Sequence, residues 1–581
     1  MRHSESSHRI FAEFFISLIV ISFFSVAAWG VERPEFDPEA RFHPVYAENG
    51  MVVSAEAHAT RAGLQVLKEG GNAVDAAVTV GFTLAVTYPM AGNIGGGGFI
   101  LIYMADKKEV TAIDYREKAP MAVKTDMYLD DKGNPDKEKS RHSILAVGVP
   151  GTVAGLTLAL EKFGTISLER ATRPAIELAE NGYPVSKELR RSLIEAKERM
   201  EKSEASMTVF FKDNGEPYAK GEMLKQKDLA RSLREIAENG PDAFYNGDIA
   251  KKINGFMKEN GGLITKEDLE SYKPVIRKPA RGTYRGYEIY SMPPPSSGGV
   301  HLVQMLNMLE LYPLGSYGHN TAKTIHIMAE VMKLAYADRS VHLGDPDFVD
   351  VPVTRLTSKN YAKELDEEID PAAATPSEKL KPGEMPHKEG QNTTHYSVVD
   401  SQGNAVSNTY TLNFRYGSKI TVPGTGILLN NEMDDFSMKP GIPNAYGLTG
   451  GEYNAVAPGK RMLSSMTPTI VLRGGKPFLI TGSPGGSQII TTVLQIITNV
   501  IDFGMNIAEA TNAVRVHHQW LPDELRIEEG LSGDTIAILG KMGYKCVTGN
   551  TMGSAQSIMK IGSILYGATD PRRPGGLAEG Y

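Results

Sequence analysis

With one cysteine in 581 residues, Cys546, the chain cannot close an internal disulfide, so packing, hydrogen bonds and charge must hold it together. That thiol reads as a small core residue. Excess charge is lacking too. Lys and Arg number 62 against 69 Asp and Glu, a net charge of −7 with pI near 6.1, which gives no reason to expect nucleic acid or an anionic membrane as partner. Gly92-Asn93-Ile94-Gly95-Gly96-Gly97-Gly98 has no Lys-Ser/Thr after it, so a phosphate-cradling P-loop is excluded and close backbone packing is left. The acid pair near Asp434 and the pair His517-His518 lack further ligands at metal-binding spacing; the histidines read as packed or surface residues.

Long apolar runs are almost absent. The longest uncharged one, Phe14 to Trp29, follows Arg2 and Arg9 and ends in the small residues around Ala27-Ala28. It is shorter than the ~20 residues a spanning helix needs. Residues 1–30 therefore read as a secretory signal removed near Ala28 or Gly30, rather than as a retained anchor. The mature protein is expected to be soluble outside the cytoplasm, periplasmic or extracellular, with no permanent membrane span.

What is present is ordinary globular composition, 41% hydrophobic and 23% charged, without internal repeats. The informative stretch begins at Gln391. Pro371 to Gln391 has four prolines, many charges and few large apolar residues, and reads as unable to fold alone. The composition then switches to a strand, Thr394 to Val399, a turn at Ser401-Gln402-Gly403-Asn404, and a returning strand, Ala405 to Asn413. Pairing Asp400 with Ala405 sets Thr411 opposite Thr394, beside Thr393. Thr411 and Asn413 would alternate to one face.

A threonine at the start of a strand, after a disordered run, suits a chain that cuts itself. The Thr393 hydroxyl would attack the Asn392 carbonyl. The α-amine so freed, with pKa about 7.7–8.0, could then act as base for the same hydroxyl. Two plainer readings fit the same residues: a polar hairpin rich in β-formers, and an N-x-[ST] glycosylation acceptor at Asn392-Thr393-Thr394.

Longer blocks narrow the choice. TTHYSVVD, TYTLN, LLNNEMDDFS, RMLSSMTPTIV and ITGSPGGSQIITTVLQ, with GGNAVDAAV, GNIGGGGF and DYREKAP upstream, resemble the γ-glutamyltranspeptidase family in order and spacing from about Tyr46 to Tyr581. The resemblance implies an α+β fold, the N-terminal nucleophile hydrolase four-layer αββα sandwich. It would be built from two autoprocessed pieces, 31–392 and 393–581, that stay together as a heterodimer around one core. It implies cleavage of the γ-glutamyl amide of glutathione through an ester on Thr393, with water or an amino acid or peptide as acceptor, and no cofactor or metal. It makes Thr393 the nucleophile and Thr411 its hydrogen-bond partner, with Gly485 and Gly486 the oxyanion hole. A substrate carbonyl could approach that pair closely, and the N–H groups opening a helix lack internal partners.

The same resemblance implies that Arg116, Ser464 and Ser465 hold the donor's α-carboxylate. Asn413, Glu432 and Asp435 would hold the polar groups on its α-carbon, the two acids taking its ammonium. Lys439 to Val456 would be a lid with Tyr446 as its aromatic plug. Met462 stands where the family usually has proline, which loosens the backbone before the serines. Two rival functions share parts of this pattern: a β-lactam side-chain acylase of the same fold, and an amino-acid-binding protein without turnover.

Along the rest of the chain, Met51–Ser54 reads as a strand, Ala55–Glu69 and Asn72–Tyr88 as helices, and Phe99–Tyr103 and Val110–Asp114 as adjacent strands. Residues 150–260 read as mostly helical. Pro293 to Gly299 reads as a stiff structural loop, and Asn320 as the cap of the next helix.

Overall fold

Strand alternation builds the architecture. In the strand Gly97–Met104, Ile100 and Ile102 join a core shared with the helices Ala57–Lys68, Ala73–Thr87 and Thr152–Phe163. Phe99, Leu101 and Tyr103 point the other way, into a core that also holds Ile470, Ile480 and Ile558 of a second sheet. That second sheet turns Ile289, Val471 and Leu479 toward the helices Gly298–Leu309 and Gln488–Ile501. Helix, sheet, sheet, helix is the order of the layers in this computed structural model, which describes residues 40–380, 393–439, 441–442, 444, 448 and 450–581. The signal segment, the cleavage residue Asn392 and Tyr446 lie outside the described residues.

Each central sheet has seven strands. The first runs in the order Leu577–Gly580, Met51–Ser54, Thr394–Val399, Ala405–Thr411, Gly97–Met104, Glu109–Tyr115 and Val275–Arg277, all antiparallel. The second runs Val45–Ala47, Ile564–Thr569, Gln556–Ile561, Lys476–Thr481, Thr469–Arg473, Tyr287–Ser291 and Ala280–Tyr284, again antiparallel. The hairpin after Thr393 is inserted between Met51–Ser54 and Gly97–Met104. Residues on either side of the expected cut thus complete one sheet, and neither set could bury it alone.

Helix Ala73–Thr87 is buried along its whole length, as its run of Ala and Val requires, and a capping box between Asn72 and Asp75 starts it. Residues 150–260 form the expected helices, among them Lys187–Met200 and Lys227–Asn239.

Four expectations need correction. The hairpin register is one residue tighter than the turn reading gave: Val399 pairs with Ala405 and Thr394 with Tyr410. Asp400 N–H donates to Asn404 O at 3.1 Å and Gly403 takes φ +85, so the turn spends one residue fewer than four. Continued one step, that register sets Thr411 opposite Thr393. Asn413 leaves the strand, with φ +73, instead of alternating with Thr411. The helix Ala322–His342 is capped by Thr321, whose hydroxyl accepts from Thr324 N–H, while Asn320 donates to Val514 O at 2.9 Å. Finally, the charged run is not loose throughout, because Pro371 to Leu380 docks on both pieces, as detailed below.

Candidate active site

Thr393 and Thr411 stand side by side at the open end of the hairpin, on the face turned toward the second sheet. Parity decides this. His395 and Ser397 face that way, the Ser397 hydroxyl donating to Gln556 O at 2.8 Å, so Thr393 does too. Thr411 Oγ1 accepts from Asn413 N–H at 2.8 Å, and Asn413 Nδ2 donates to Asn431 O at 3.0 Å. The left-handed backbone at Asn413, which asparagine tolerates, closes this small turn. Gly96 lies behind it; a Cβ there would fall 2.1 Å from Thr411 O, which is why the glycine run packs here.

A narrow cavity opens from these threonines. Its lining brings together Arg116, Thr393, Thr411, Asn413, Glu432 and Asp435, with Ser464, Ser465 and Gly486. Every site residue expected from the sequence and described in the structure therefore lies on it or, for Gly485, next to it. Gly485 has φ +139 and Gly486 φ +57, conformations that favour glycine. Among the described residues, neither glycine's N–H donates a hydrogen bond. A larger groove, lined by Thr157, Tyr245 and Tyr272 on the outer helical layer, holds none of these groups. Size does not locate the chemistry here.

The charges are arranged unexpectedly. Arg116 is fully buried just past the strand Glu109–Tyr115, and its guanidinium is clasped by Glu432 on one side and Asp435 Oδ2, at 2.5 Å, on the other. Arg116 Nε donates to Met462 O at 3.3 Å. Met462 is itself buried with Met433, Phe436 and Val456, so packing fixes the segment that lacks proline. Glu117, not singled out from the sequence, is also fully buried, 3.7 Å from Arg116 Nη1. Burial pushes its carboxyl up to about 7, against the lowering pull of Arg116. Burial likewise raises Glu432 and Asp435 above the usual carboxylate range. Both oxygens of Glu117, Glu432 Oε2 and Asp435 Oδ1 receive no hydrogen bond among the described residues. Asp434 points away and serves structure, accepting from Ser140 Oγ at 2.7 Å and Arg141 Nε at 3.0 Å.

Two further arginines escaped the sequence reading. Arg339 comes from the last turn of the helix Ala322–His342, donating to Ser297 Oγ at 2.9 Å and to Ser465 Oγ at 3.2 Å, and it lines the cavity. Burial lowers its pKa to about 10, which still leaves it charged at neutral pH. A basic residue at a helix C-terminus ordinarily answers the dipole, so nothing local marked it. Arg573 Nη1 donates to Thr393 O at 3.1 Å. The loop Pro293 to Gly299 is structural as expected, and it also braces the site: Ser297 Oγ donates to Ser464 O at 2.8 Å. His517 and His518 are fully buried, His517 against Thr491 and Gln519, so they are packed rather than surface residues. Among the described residues no cluster of His, Cys, Asp and Glu could hold a metal ion.

Comparisons with known proteins point to one family. The family model described as gamma-glutamyltranspeptidase matches residues 59–580. The chain is 56% identical over 557 residues to the glutathione hydrolase proenzyme of Escherichia coli strain K12, covering 95% of this chain and 94% of that one. A crystal structure of cephalosporin acylase from Bacillus halodurans is similar with a TM-score of 0.82 at 28% identity, covering 94% of this chain and 99% of that one. That of Helicobacter pylori gamma-glutamyltranspeptidase is 49% identical, with a TM-score of 0.56, over 61% of this chain and 100% of its own.

Proposed function

The chain belongs to the γ-glutamyltranspeptidase family, and on that premise we propose that it is a proenzyme that cuts itself before Thr393 and then acts as a glutathione hydrolase and γ-glutamyltransferase. Maturation is an acyl shift. Thr393 Oγ1 attacks the Asn392 carbonyl carbon, the amide C–N bond breaks, and the hydroxyl proton passes to the freed amine. Water then hydrolyses the ester, leaving a carboxylate on Asn392 and an α-amine on Thr393. The products are a large piece, 31–392 after export and loss of residues 1–30, and a small piece, 393–581. They remain a heterodimer because they share one sheet. Export places the protein in the periplasm or outside the cell; among the described residues no helix is long and apolar enough to cross a membrane.

In turnover the Thr393 amine, with pKa about 7.7–8.0, accepts the hydroxyl proton as Oγ1 attacks the γ-carbonyl of the donor. Thr411 orients Oγ1. The N–H groups of Gly485 and Gly486 receive the oxyanion; preorganised donors of this kind are each worth about 3 kcal/mol in the transition state. The amine product leaves with a proton, and water or an acceptor amine then cleaves the γ-glutamyl ester.

The observation that carries the reading is the state of Arg116. It is shared by two cavity-lining acids, each of which keeps an oxygen without a donor. An α-amino acid head group fits this arrangement as an exchange. Its carboxylate takes the Arg116 fork, helped by Arg339, Ser464 and Ser465, while its ammonium takes up the released Glu432 and Asp435 near Asn413. The family resemblance assigns a lid role to Tyr446, which lies outside the described residues. A glutaryl group has the carboxylate but no ammonium, so it would strand the two acids.

The structural likeness to cephalosporin acylase favours one second reading, a side-chain acylase. Turnover of γ-glutamyl-p-nitroanilide against a glutaryl-cephalosporin, with and without a dipeptide acceptor, separates the two. Strong preference for the γ-glutamyl donor, stimulated by acceptor, is expected; preference for the glutaryl compound would overturn the assignment. Thr393→Ala should purify as one chain with kcat reduced by about four orders of magnitude or more. A small piece beginning at any residue other than Thr393 would refute the nucleophile.

A further inference from the structure

The stretch Ala374 to Leu380 is held by a buried polar cluster that takes no part in the active site. On the helix Ala322–His342, His326, Glu330 and Lys333 form one buried stripe at helical spacing. Lys333 Nζ donates to Thr375 O at 2.5 Å and pairs with Glu330 Oε1 at 2.5 Å. Thr375 N–H donates to Glu330 Oε2 at 3.2 Å, so one ion pair takes both backbone groups of Thr375. The Tyr544 hydroxyl donates to Glu330 Oε1 at 2.6 Å, and His326 Nε2 reaches Asp370 O at 2.8 Å.

Groups from beyond the cut complete the cluster. Trp520 Nε1 shares its hydrogen between Ser377 O at 2.9 Å and Leu380 O at 3.0 Å. Asp523 Oδ2 accepts from Ser377 N–H at 2.9 Å, and Met542 O from Ala374 N–H at 2.7 Å. Trp520 sits in the left-handed backbone region, with φ +67, which costs a non-glycine residue about 1 kcal/mol or more and persists only where surroundings impose it. Three N–H and three C=O groups of a charged, proline-flanked stretch are thereby fixed by side chains and backbone from both pieces. A stretch of that composition does not order itself. Within two turns of Lys333 the same helix donates through Tyr336 to Ser487 O and reaches the catalytic cavity through Arg339, which donates to Ser465.

We propose that Lys333, Glu330, Tyr544, Trp520 and Asp523 form a maturation clamp: they anchor the chain at Leu380 so that the peptide leading to the cut is presented to Thr393 Oγ1. This rests on the reading that the chain cuts itself before Thr393. The clamp residues are positioning residues. Fixing the chain at Leu380 restricts the orientations open to the Asn392–Thr393 peptide relative to the Thr393 hydroxyl without adding a contact at the reacting atoms. After cleavage they retain the large piece's tail, and they play no part in turnover.

The test follows cleavage of freshly made full-length protein on gels for the parent and for Trp520→Phe, which keeps an aromatic side chain, though a smaller one, and removes the N–H. Asp523→Ala, on a half-exposed side chain, serves as a second variant that tolerates removal. Both are expected to slow conversion to two pieces about tenfold, while matured enzyme keeps its kcat and KM within about twofold. Melting temperatures are compared in the Thr393→Ala background, where no cleavage occurs; an unchanged melting temperature with slowed cleavage is the signature of positioning. Parent-like cleavage rates in both variants would overturn the clamp. Normal cleavage with reduced kcat, or slowing matched by a large loss of melting temperature, would overturn it as well. If the parent itself never splits at Thr393, the self-cleavage reading fails instead, which is a separate outcome.

Discussion

Two buried charge clusters in this protein look alike in composition and differ in balance. In the small piece, Arg515 and Arg572 meet Asp570 and Glu528. Arg515 Nη2 donates to Asp570 Oδ2 at 2.6 Å, and Arg572 donates to both oxygens of Glu528 at 2.5 and 2.7 Å. All four carboxylate oxygens accept hydrogen bonds, with Arg515, Met552, Ala555 and Arg572 N–H groups filling the remaining sites. Although burial raises the Asp570 pKa, the two arginines outweigh it and hold that carboxyl below its ordinary value. In the cavity, three acids surround Arg116, several oxygens lack donors, and burial wins, raising all three carboxyls. A buried ion network whose carboxylates are all satisfied is structure. One whose carboxylate oxygens lack donors can take a further cation, and the α-ammonium of the proposed donor is one.

The contrast is breakable first at Asp570. Asp570→Asn leaves buried Arg515 without its carboxylate partner and is expected to cost about 3–5 kcal/mol of stability, seen as a large fall in melting temperature. Asp435→Asn in the cavity, where an acid is in excess, should barely move it. Equal losses would show that both clusters are structural.

Arg116→Lys sharpens the comparison from the cation's side. A point charge replaces a fork that pairs with two acids and that, on the proposed function, takes the donor's carboxylate. The expected loss is about 2 kcal/mol in kcat/KM, roughly thirtyfold, carried mainly by KM. Self-cleavage should survive; failure to mature would make Arg116 a structural residue.

The smallest effect is on pH dependence. The folded chain holds a proton on Glu117 up to about pH 7, whereas the unfolded chain releases it near the ordinary carboxylate value. Between those values the native state binds more protons, so stability falls as pH rises. Asp570 works with the opposite sign: its contribution is present above the ordinary carboxylate pKa and is lost as pH falls through the depressed folded value. Urea unfolding of Glu117→Gln between about pH 5 and 8 should therefore show a flatter decline than the parent. An unchanged slope would remove Glu117 from the cluster's electrostatics.

Much of this was legible in the sequence, for physical reasons that differ by region. The unbroken apolar run Phe99–Tyr103 and the Ala/Val run of 73–87 mark a strand between two cores and a wholly buried helix, because burial is written in side-chain type. The hairpin register slipped by one because it depends on how many residues the Gly403 turn consumes, which composition does not state. The residues that the family resemblance named line one cavity, apart from Gly485 beside it and the two outside the described residues. The resemblance did not show that Glu432 and Asp435 clasp Arg116, since pairing between residues more than 300 positions apart is a product of folding. Arg339 and Glu117 carried no local signal for the same reason. The run after Pro371 was read as unable to order itself, and up to Leu380 it is ordered by partners drawn from elsewhere in the chain.

The claim that surplus acids read the donor's ammonium is tested most directly by one ratio: kcat/KM for γ-glutamyl-p-nitroanilide over kcat/KM for glutaryl-p-nitroanilide, in the parent and in Asp435→Ala. Losing one partner of a desolvated charge pair costs on the order of 2–5 kcal/mol, so γ-glutamyl turnover should fall about thirtyfold or more while glutaryl turnover changes little and the ratio collapses. Equal losses on the two donors, leaving the ratio intact, would contradict the account.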